Sequence, residues 1–423
     1  MRSDLLAKRT FLFLWLFFIA LIIKHSDLFE PLSYTSWTVS DWLINYEGGF
    51  VRRGLIGQLI YFIYMVHPFP VIHFLKVVYA LGSVFFVILL MYVFKSEGWS
   101  LSILPLWCVG GVTLFNSFCR RDLWLLMVVY FMFLMLRNYL RTRKRKFLVV
   151  LWFLSVFAIL SHESTFFYSY PIMMVYAWIA CLGKQRIAAK PLLKYLLIFI
   201  PGIFTMAFVC HYKGDADTAK AIWASWADLF KTYPDGIFSF PQTRSMVGAG
   251  VNALSWETLE TMKFHLSYNF VVANTTYYLF EGFSLLKFLS TTSIMLLMFA
   301  SIYYLTTHLN TIAISLWPVA GDQFRRICKT LSLQLLFMLP MFTVLSVDIP
   351  RTLPYWVVSS LFAIHCLGEL KSSRMDQIVD KIAKIFDARV FQSPWMYILI
   401  AILSFIFPPA RIKMAMIIGW IVG

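Results

Sequence analysis

Charge is scarce in this chain. Of its 423 residues, 14% are Asp, Glu, Lys or Arg, against roughly 25% in an ordinary soluble domain. That excludes a conventional solvated surface. Acid is scarcer than base: 21 Asp and Glu stand against 37 Lys and Arg, a net charge of +16. Cysteine is sparse and unpatterned. Cys108, Cys119, Cys181, Cys210, Cys328 and Cys366 form no C-x-x-C pair, and nearly all lie in or beside apolar runs. They read as small core residues rather than a disulfide framework or a zinc site. Ten-residue stretches of alternating polarity are missing, which argues against a β-barrel. There is no low-complexity linker and no separate soluble domain. No internal repeat is evident, which argues against transporters built on inverted repeats.

What the chain has is apolar length. It is 60% hydrophobic, and runs near the roughly 20 residues needed to cross a bilayer recur from residue 10 onward. These features predict an all-α polytopic membrane protein, a single transmembrane domain over residues 1–423 with about ten to twelve spans. The excess of base is then no nucleic-acid signature, because most of it lies in short loops, where it sets orientation.

Orientation follows from those loops. Arg2, Lys8 and Arg9 precede the first run, 11–23, which lacks a small-x-small cleavage site and reads as a retained span with a cytoplasmic N-terminus. Residues 24–57 then form an external amphipathic or re-entrant segment, followed by a short apolar stretch, 55–66, that suits a half-helix. Spans are expected at 71–94, 101–118, 123–140, 147–160, 166–182, 192–210, 283–305, 331–347 and 353–367, with a broken span or hairpin after 390. The strongest topological marker is Arg141 to Lys146, five positive charges in six residues, which places that loop inside. Residues 211–281 form a large external loop with five Lys and Arg against seven Asp and Glu.

Four charged groups sit at run ends that this topology places outside: Arg52-Arg53, Arg120-Arg121-Asp122, His162-Glu163, and Asp348 with Arg351. Two of them are strongly basic, opposite to the positive-inside tendency. Their shared side points to one site that handles an anionic substrate. Glycines flank Arg52 and Arg53, opening backbone N–H groups to a ligand, and guanidinium forks match phosphate oxygens. A glycine-rich turn whose arginines reach lipid headgroups explains the same string. His162-Glu163 is a candidate acid–base pair, or an interfacial His beside a helix-capping Glu. Arg121 and Asp122 can bind substrate, or pair while Asp122 caps a helix. Asp348 and Arg351 can equally pair with each other. Asp215-Ala216-Asp217 has a metal-binding spacing, although an acidic external loop explains it better. Trp223, Trp226, Tyr233 and Trp256 suit sugar stacking or an interfacial belt.

The string from Tyr46 to Leu55, with Arg120 to Asp122, His162-Glu163, and Asp348 with Arg351, resembles motifs of Wzy-type O-antigen and capsule repeat-unit polymerases. The likeness covers four short motifs and the overall architecture. Pro350 stands where that pattern has a glycine. The resemblance implies glycosyl transfer at the periplasmic face of a bacterial inner membrane. Its substrate would be an undecaprenyl-pyrophosphate-linked oligosaccharide, and a chain-length regulator is a candidate partner. No cofactor, metal or nucleic acid is implied. The residues then expected at the site are His162, Glu163, Asp41 and Asp348 for catalysis, and Arg52, Arg53, Arg121, Asp122 and Arg351 for pyrophosphate and glycan. Two alternatives stand beside it. One is a GT-C-type transferase using a polyprenyl-phosphate sugar, since that type keeps a catalytic acid on its first external segment, where Asp41 and Glu47 lie. The other is a flippase of the lipid-linked glycan.

The topology is directly testable. Cysteines introduced at positions 50, 121, 163, 240 and 349 are expected to react with an impermeant thiol reagent from outside, and those at 144 and 374 are not. External labelling at 144 would remove the one-face placement of all four groups.

Overall fold

In a computed structural model the chain is described at residues 32–97, 120–182, 189–232, 247–256, 260–262, 321–343, 345 and 349–368. Among these residues every regular element is helical. Two helices among the described residues are long and apolar enough to cross a membrane, Val71–Val93 and Asp122–Thr142. A third candidate span is counted if Tyr195–His211 and Ala216–Lys231, bent by 98° at a short break, are taken as one. The expected spans at 11–23, 101–118 and 283–305, and the segment after 390, lie outside the described residues.

The chain divides into two compact units. The first comprises residues 27–90 and 117–261. It opens with a short helix, α1 (Trp37–Ser40), running into a 3-10 turn, Asp41–Leu43. After a tight loop comes α2 (Gly54–Val66), 13 residues long. At 1.5 Å per residue this is about 20 Å, short of the roughly 30 Å hydrocarbon core. Next is α3 (Val71–Ser96), whose last residues belong to the second unit. An antiparallel hairpin follows, α4 (Asp122–Thr142) and α5 (Arg145–Ser161). Its bend is the basic run, where Arg143 takes a left-handed φ of 57° and its N–H donates to the Tyr139 carbonyl at 2.8 Å. Asp122 in the first turn of α4 and Arg141 in its last complement the helix dipole. The chain continues through α6 (Ser164–Leu182), α7 (Ala189–His211), α8 (Ala216–Thr232) and α9 (Ala249–Asn252).

The outer faces of α3 and α7 are apolar. On α3, Val77, Leu81, Val84, Phe85 and Ile88 are all at least half exposed. Their spacing makes one continuous stripe. Leu193, Leu196, Leu197, Ile200, Phe204 and Phe208 form another on α7. In water such stripes are an association liability; against lipid tails they carry no penalty.

Residues 34–53 are folded inward. Trp226 on α8 is completely buried and its Nε1–H donates to the Leu43 carbonyl at 2.7 Å. Asn45 Nδ2 donates to Ser225 Oγ at 3.0 Å. On the other side, Ala249 N–H donates to the Thr35 carbonyl at 3.0 Å and Gly250 N–H to Ser40 Oγ at 2.8 Å. Two pieces of the long loop thus clamp the first segment. Helix α2 can approach it because Gly57 has no side chain: a β-carbon there would stand 1.9 Å from the Ile44 carbonyl oxygen.

The second unit comprises residues 1–26, 91–116 and 262–423. Its described helices, α10 (Gly321–Thr343) and α11 (Ile349–Leu367), pack together. Trp356 Nε1–H donates to the Leu331 carbonyl, and Gln334 Nε2 to Ser359 Oγ, both at 2.8 Å. At the far end of α11, His365 Nδ1 lies 2.9 Å from Glu97 Oε1.

Gly57→Ala is expected to lower stability by about 2 kcal/mol or more, because its methyl must displace backbone rather than a side chain. Thermal unfolding of the detergent-solubilised protein checks this.

Candidate functional site

The loop between the 3-10 turn and α2 sets the geometry. Tyr46 to Gly49 make a turn, with the Gly49 N–H donating to the Tyr46 carbonyl at 3.0 Å and a φ of 109° that only glycine adopts without strain. Arg53 then takes φ 65° and ψ 6° at the N-cap of α2. A long side chain in the left-handed region is uncommon and persists only when its surroundings hold it there. Here it is held twice. The Arg53 carbonyl accepts a hydrogen bond from Arg121 Nη1 at 3.2 Å. Its side chain grips Glu163: Nε donates to Oε2 at 2.8 Å and to Oε1 at 3.0 Å, and Nη2 also bonds Oε1.

Arg121, at the N-cap of α4, has a side chain with 0% exposure. Its Nε donates to Asp41 Oδ2 at 3.0 Å, and Nη2 lies 2.6 Å from the same oxygen. The guanidinium carbon sits 5.9 Å from the Trp42 ring centre, within cation–π range. Asp41 Oδ1 is 3.8 Å from Arg53 Nη1, so both arginines address this carboxylate. Arg52 completes the group: Nη2 donates to the Ala253 carbonyl at 3.1 Å, and Nη1 is 3.8 Å from Glu163 Oε1.

His162 is buried between α5 and α6. Its Nδ1 accepts the Ser164 N–H at 3.3 Å and lies 2.8 Å from Ser164 Oγ. An Nδ1 that accepts an amide proton carries none itself, so the ring proton is on Nε2. The ring therefore caps α6 through Nδ1. Glu163 Oε2 lies 3.8 Å from that nitrogen.

Asp41, Arg52, Arg53, Arg121, His162 and Glu163, scattered over more than 120 positions of sequence, thus meet in one cluster. Three helices begin at its members: α2 after Arg53, α4 after Arg121 and α6 after Glu163. Their N-terminal N–H groups add positive potential to that of the arginines. Burial pushes the Glu163 carboxyl upward, but Arg53, and with it Arg52, outweigh it and hold the group well below its ordinary value. Arg52 is pushed the other way: burial lowers its guanidinium, with Glu163 the largest opposing influence.

Other expected residues fall elsewhere. Asp122 is buried in the first turn of α4. Glu47 Oε1 accepts from Gln58 Nε2 at 2.9 Å, while Gln58 Oε1 accepts the Tyr46 N–H at 2.6 Å, which ties the loop to α2. Asp348 and the side chain of Arg351 lie outside the described residues, as does Tyr233. Asp215 Oδ1 accepts the Thr218 N–H at 2.8 Å, capping α8, and Asp217 lies 3.5 Å from Lys220. Among the described residues no group of three or more His, Cys, Asp or Glu is arranged to hold a metal ion. Trp223 and Trp226 are buried in the packing against residues 40–64, whereas Trp256 is 44% exposed. Sequence reading missed Gln58, Ser164 and the Ala253 carbonyl. Of these, only Ser164 carried a signal, as a capping residue type at a helix start.

Glu163→Gln is expected to strand Arg53 and lower stability on the order of 2 kcal/mol, less than the roughly 3–5 kcal/mol of a fully buried pair because Glu163 keeps 17% exposure. The depressed carboxyl stabilises the fold above the unfolded Glu value, about 4.3. That contribution is lost as pH falls from there through the lower folded value. The stability gap between wild type and Glu163→Gln should therefore close on acidification across that window, and a gap that stays constant would show that the pair does not couple to folding.

No family model, curated protein or solved structure matches this chain, so function is read from the chemistry of the cluster itself.

Proposed function

We propose that this protein is a membrane-embedded polymerase of lipid-linked oligosaccharide repeats, acting at the external face of a bacterial inner membrane. The observation that supports the reading is the convergence of three arginines and two carboxylates, from four separate stretches of chain, where three helices begin. Three of these five side chains, the arginines, belong to the groups whose charge sign opposes the topological rule. The apolar outer faces of α3 and α7 are consistent with lipid, and the full proposal is about ten to twelve spans with a cytoplasmic N-terminus.

The chemistry is glycosyl transfer. The bond between the sugar anomeric carbon and the undecaprenyl pyrophosphate breaks, and a new bond forms to a hydroxyl of the acceptor unit. Negative charge grows on the departing pyrophosphate, and fixed guanidinium groups lower its energy without reorganising. The acceptor hydroxyl loses its proton to a carboxylate. Asp41 is the better placed for this, since Oδ2 is held by Arg121 while Oδ1 stands 3.8 Å from the nearest Arg53 nitrogen. Glu163 has both oxygens engaged by Arg53 and is better suited to fixing that arginine. With Nδ1 occupied by the cap, His162 can orient a glycan oxygen through its Nε2–H.

A GT-C-type transferase using a polyprenyl-phosphate sugar is the second reading. The burial of Asp41 at the centre of the cluster, on the segment before α2, favours it.

A strain lacking the gene should display surface glycan of single repeat units, restored to a full ladder by the wild-type gene. Asp41→Asn is expected to reduce chain extension by about 100-fold or more with normal membrane insertion. A full ladder in the deletion strain would sink the polymerase reading, and loss of all surface glycan would point to translocation instead.

A further inference from the structure

The three arginines of the cluster are not equally committed. Arg53 places three contacts on Glu163, and Arg121 places two on Asp41 and one on the Arg53 carbonyl. Both guanidinium groups are spent on holding the cluster together. Arg52 differs. Of its five N–H donors, one meets an acceptor at hydrogen-bond length among the described residues, and that acceptor is a neutral carbonyl, Ala253 O. Its Nε is buried with no hydrogen-bond partner there. The nearest carboxylate oxygen, on Glu163, is 3.8 Å away and already bonded to Arg53. A half-buried cation whose hydrogen-bonded acceptor is neutral, and whose nearest carboxylate stands at 3.8 Å, is under-compensated.

Arg52 is nonetheless reachable, since its side chain keeps 23% exposure whereas that of Arg121 has none. Its position is fixed from behind by the Ala253 carbonyl, at the end of the segment that clamps residues 35–41. A pre-placed, partly exposed and under-neutralised guanidinium is what recognition of an outside oxyanion requires.

We propose that Arg52 is the residue of the cluster that receives an outside phosphoryl group, while Arg53 and Arg121 serve as its framework. One guanidinium meets one phosphoryl group, so the ligand class is a phosphate ester or free phosphate, whether carried on a lipid or dissolved. This deepens the transferase reading, in which that group belongs to the departing carrier, but binding itself needs no turnover. Burial lowers the Arg52 guanidinium from its ordinary value, and Glu163 and Asp41 oppose that shift without cancelling it.

The test is anion-dependent stabilisation of the full-length protein in phosphatidylcholine nanodiscs. Thermal unfolding is followed by tryptophan fluorescence against inorganic phosphate, with chloride at matched ionic strength as the control. Phosphate should raise the unfolding temperature saturably in the wild type. Arg52→Gln should raise the half-saturating concentration about tenfold or more, the size of one lost charge-assisted hydrogen-bonded contact. Arg52→Lys, which keeps the charge and guards against a folding defect, should retain part of the effect. Lys220→Gln, on the exposed face of α8, should retain all of it. Nanodiscs with and without phosphatidic acid separate the sources: a rise with the lipid that outweighs free phosphate assigns a lipid-borne group, and the reverse a soluble one. No phosphate effect from either source in the wild type, or an equal effect in Arg52→Gln, would overturn the proposal. If phosphate binds at Arg52 but the deletion strain keeps its glycan ladder, the site stands and the polymerase reading falls. If the ladder is lost but Arg52→Gln binds phosphate as the wild type does, only the assignment to Arg52 falls.

Discussion

The left-handed backbone of Arg53 depends on two partners far away in sequence, and the rest of the site depends on Arg53. A non-glycine residue in that conformation costs on the order of 1 kcal/mol or more. It persists because Arg121 bonds the Arg53 carbonyl and Glu163 takes the Arg53 guanidinium. The left-handed turn sends the chain directly into α2. In doing so it joins the N-terminus of α2 to those of α4 and α6 through the residues that cap or precede them. Without either contact, the loop loses one of the two partners that hold Arg53 in that conformation.

Ionised groups packed this closely are a poor way to stabilise a fold. Desolvating them costs about as much as their attraction returns, and apolar replacements of the same shape often do as well. Their retention makes more sense as organisation: each carboxylate fixes one arginine, so the positive potential has a defined shape. The helix N-termini reinforce the same sign. Arg53 and Arg121 each have a carboxylate of their own, and Arg52 does not. The cluster is therefore balanced internally and electropositive at one edge.

The surroundings of the cluster divide in two. On one side lie the aromatic packing of α8 and the clamp formed by α9, which bury Trp223 and Trp226 against residues 40–64. Phe208 on α7 and Tyr212 just beyond it pack against Phe50 in the loop that carries Arg52 and Arg53. Tyr46 shows how tight the junction is: its ring stacks on Phe50 at 5.1 Å, and burial raises its phenol to about 12.

Much of this was legible in the sequence. Apolar runs at helix length marked out the described helices, because the need to satisfy backbone polar groups leaves helix as the simplest state for such runs. The charge pairs at run ends marked candidate residues, because charge beside a membrane is expensive and is kept for a reason. Arg52, Arg53, Arg121 and Glu163 were recognisable as candidates on that ground, and Asp41 through the positional likeness to GT-C-type transferases. Their division of labour was not. Whether Arg52 or Arg53 faces Glu163 turns on one backbone torsion. That torsion is set by a carbonyl-to-Arg121 contact 68 positions away, which no local pattern encodes. The capping role of the His162 ring, and the placing of Trp223 and Trp226 in the interior rather than at a sugar-binding surface, likewise follow from which surfaces meet. Sequence by itself determined the helical, apolar character of the described segments and a list of charged residues, several of which the fold brings into one cluster. Only the tertiary structure decided which cation meets which anion, because ion pairing depends on distances of a few ångströms between segments whose separation along the chain carries no such information.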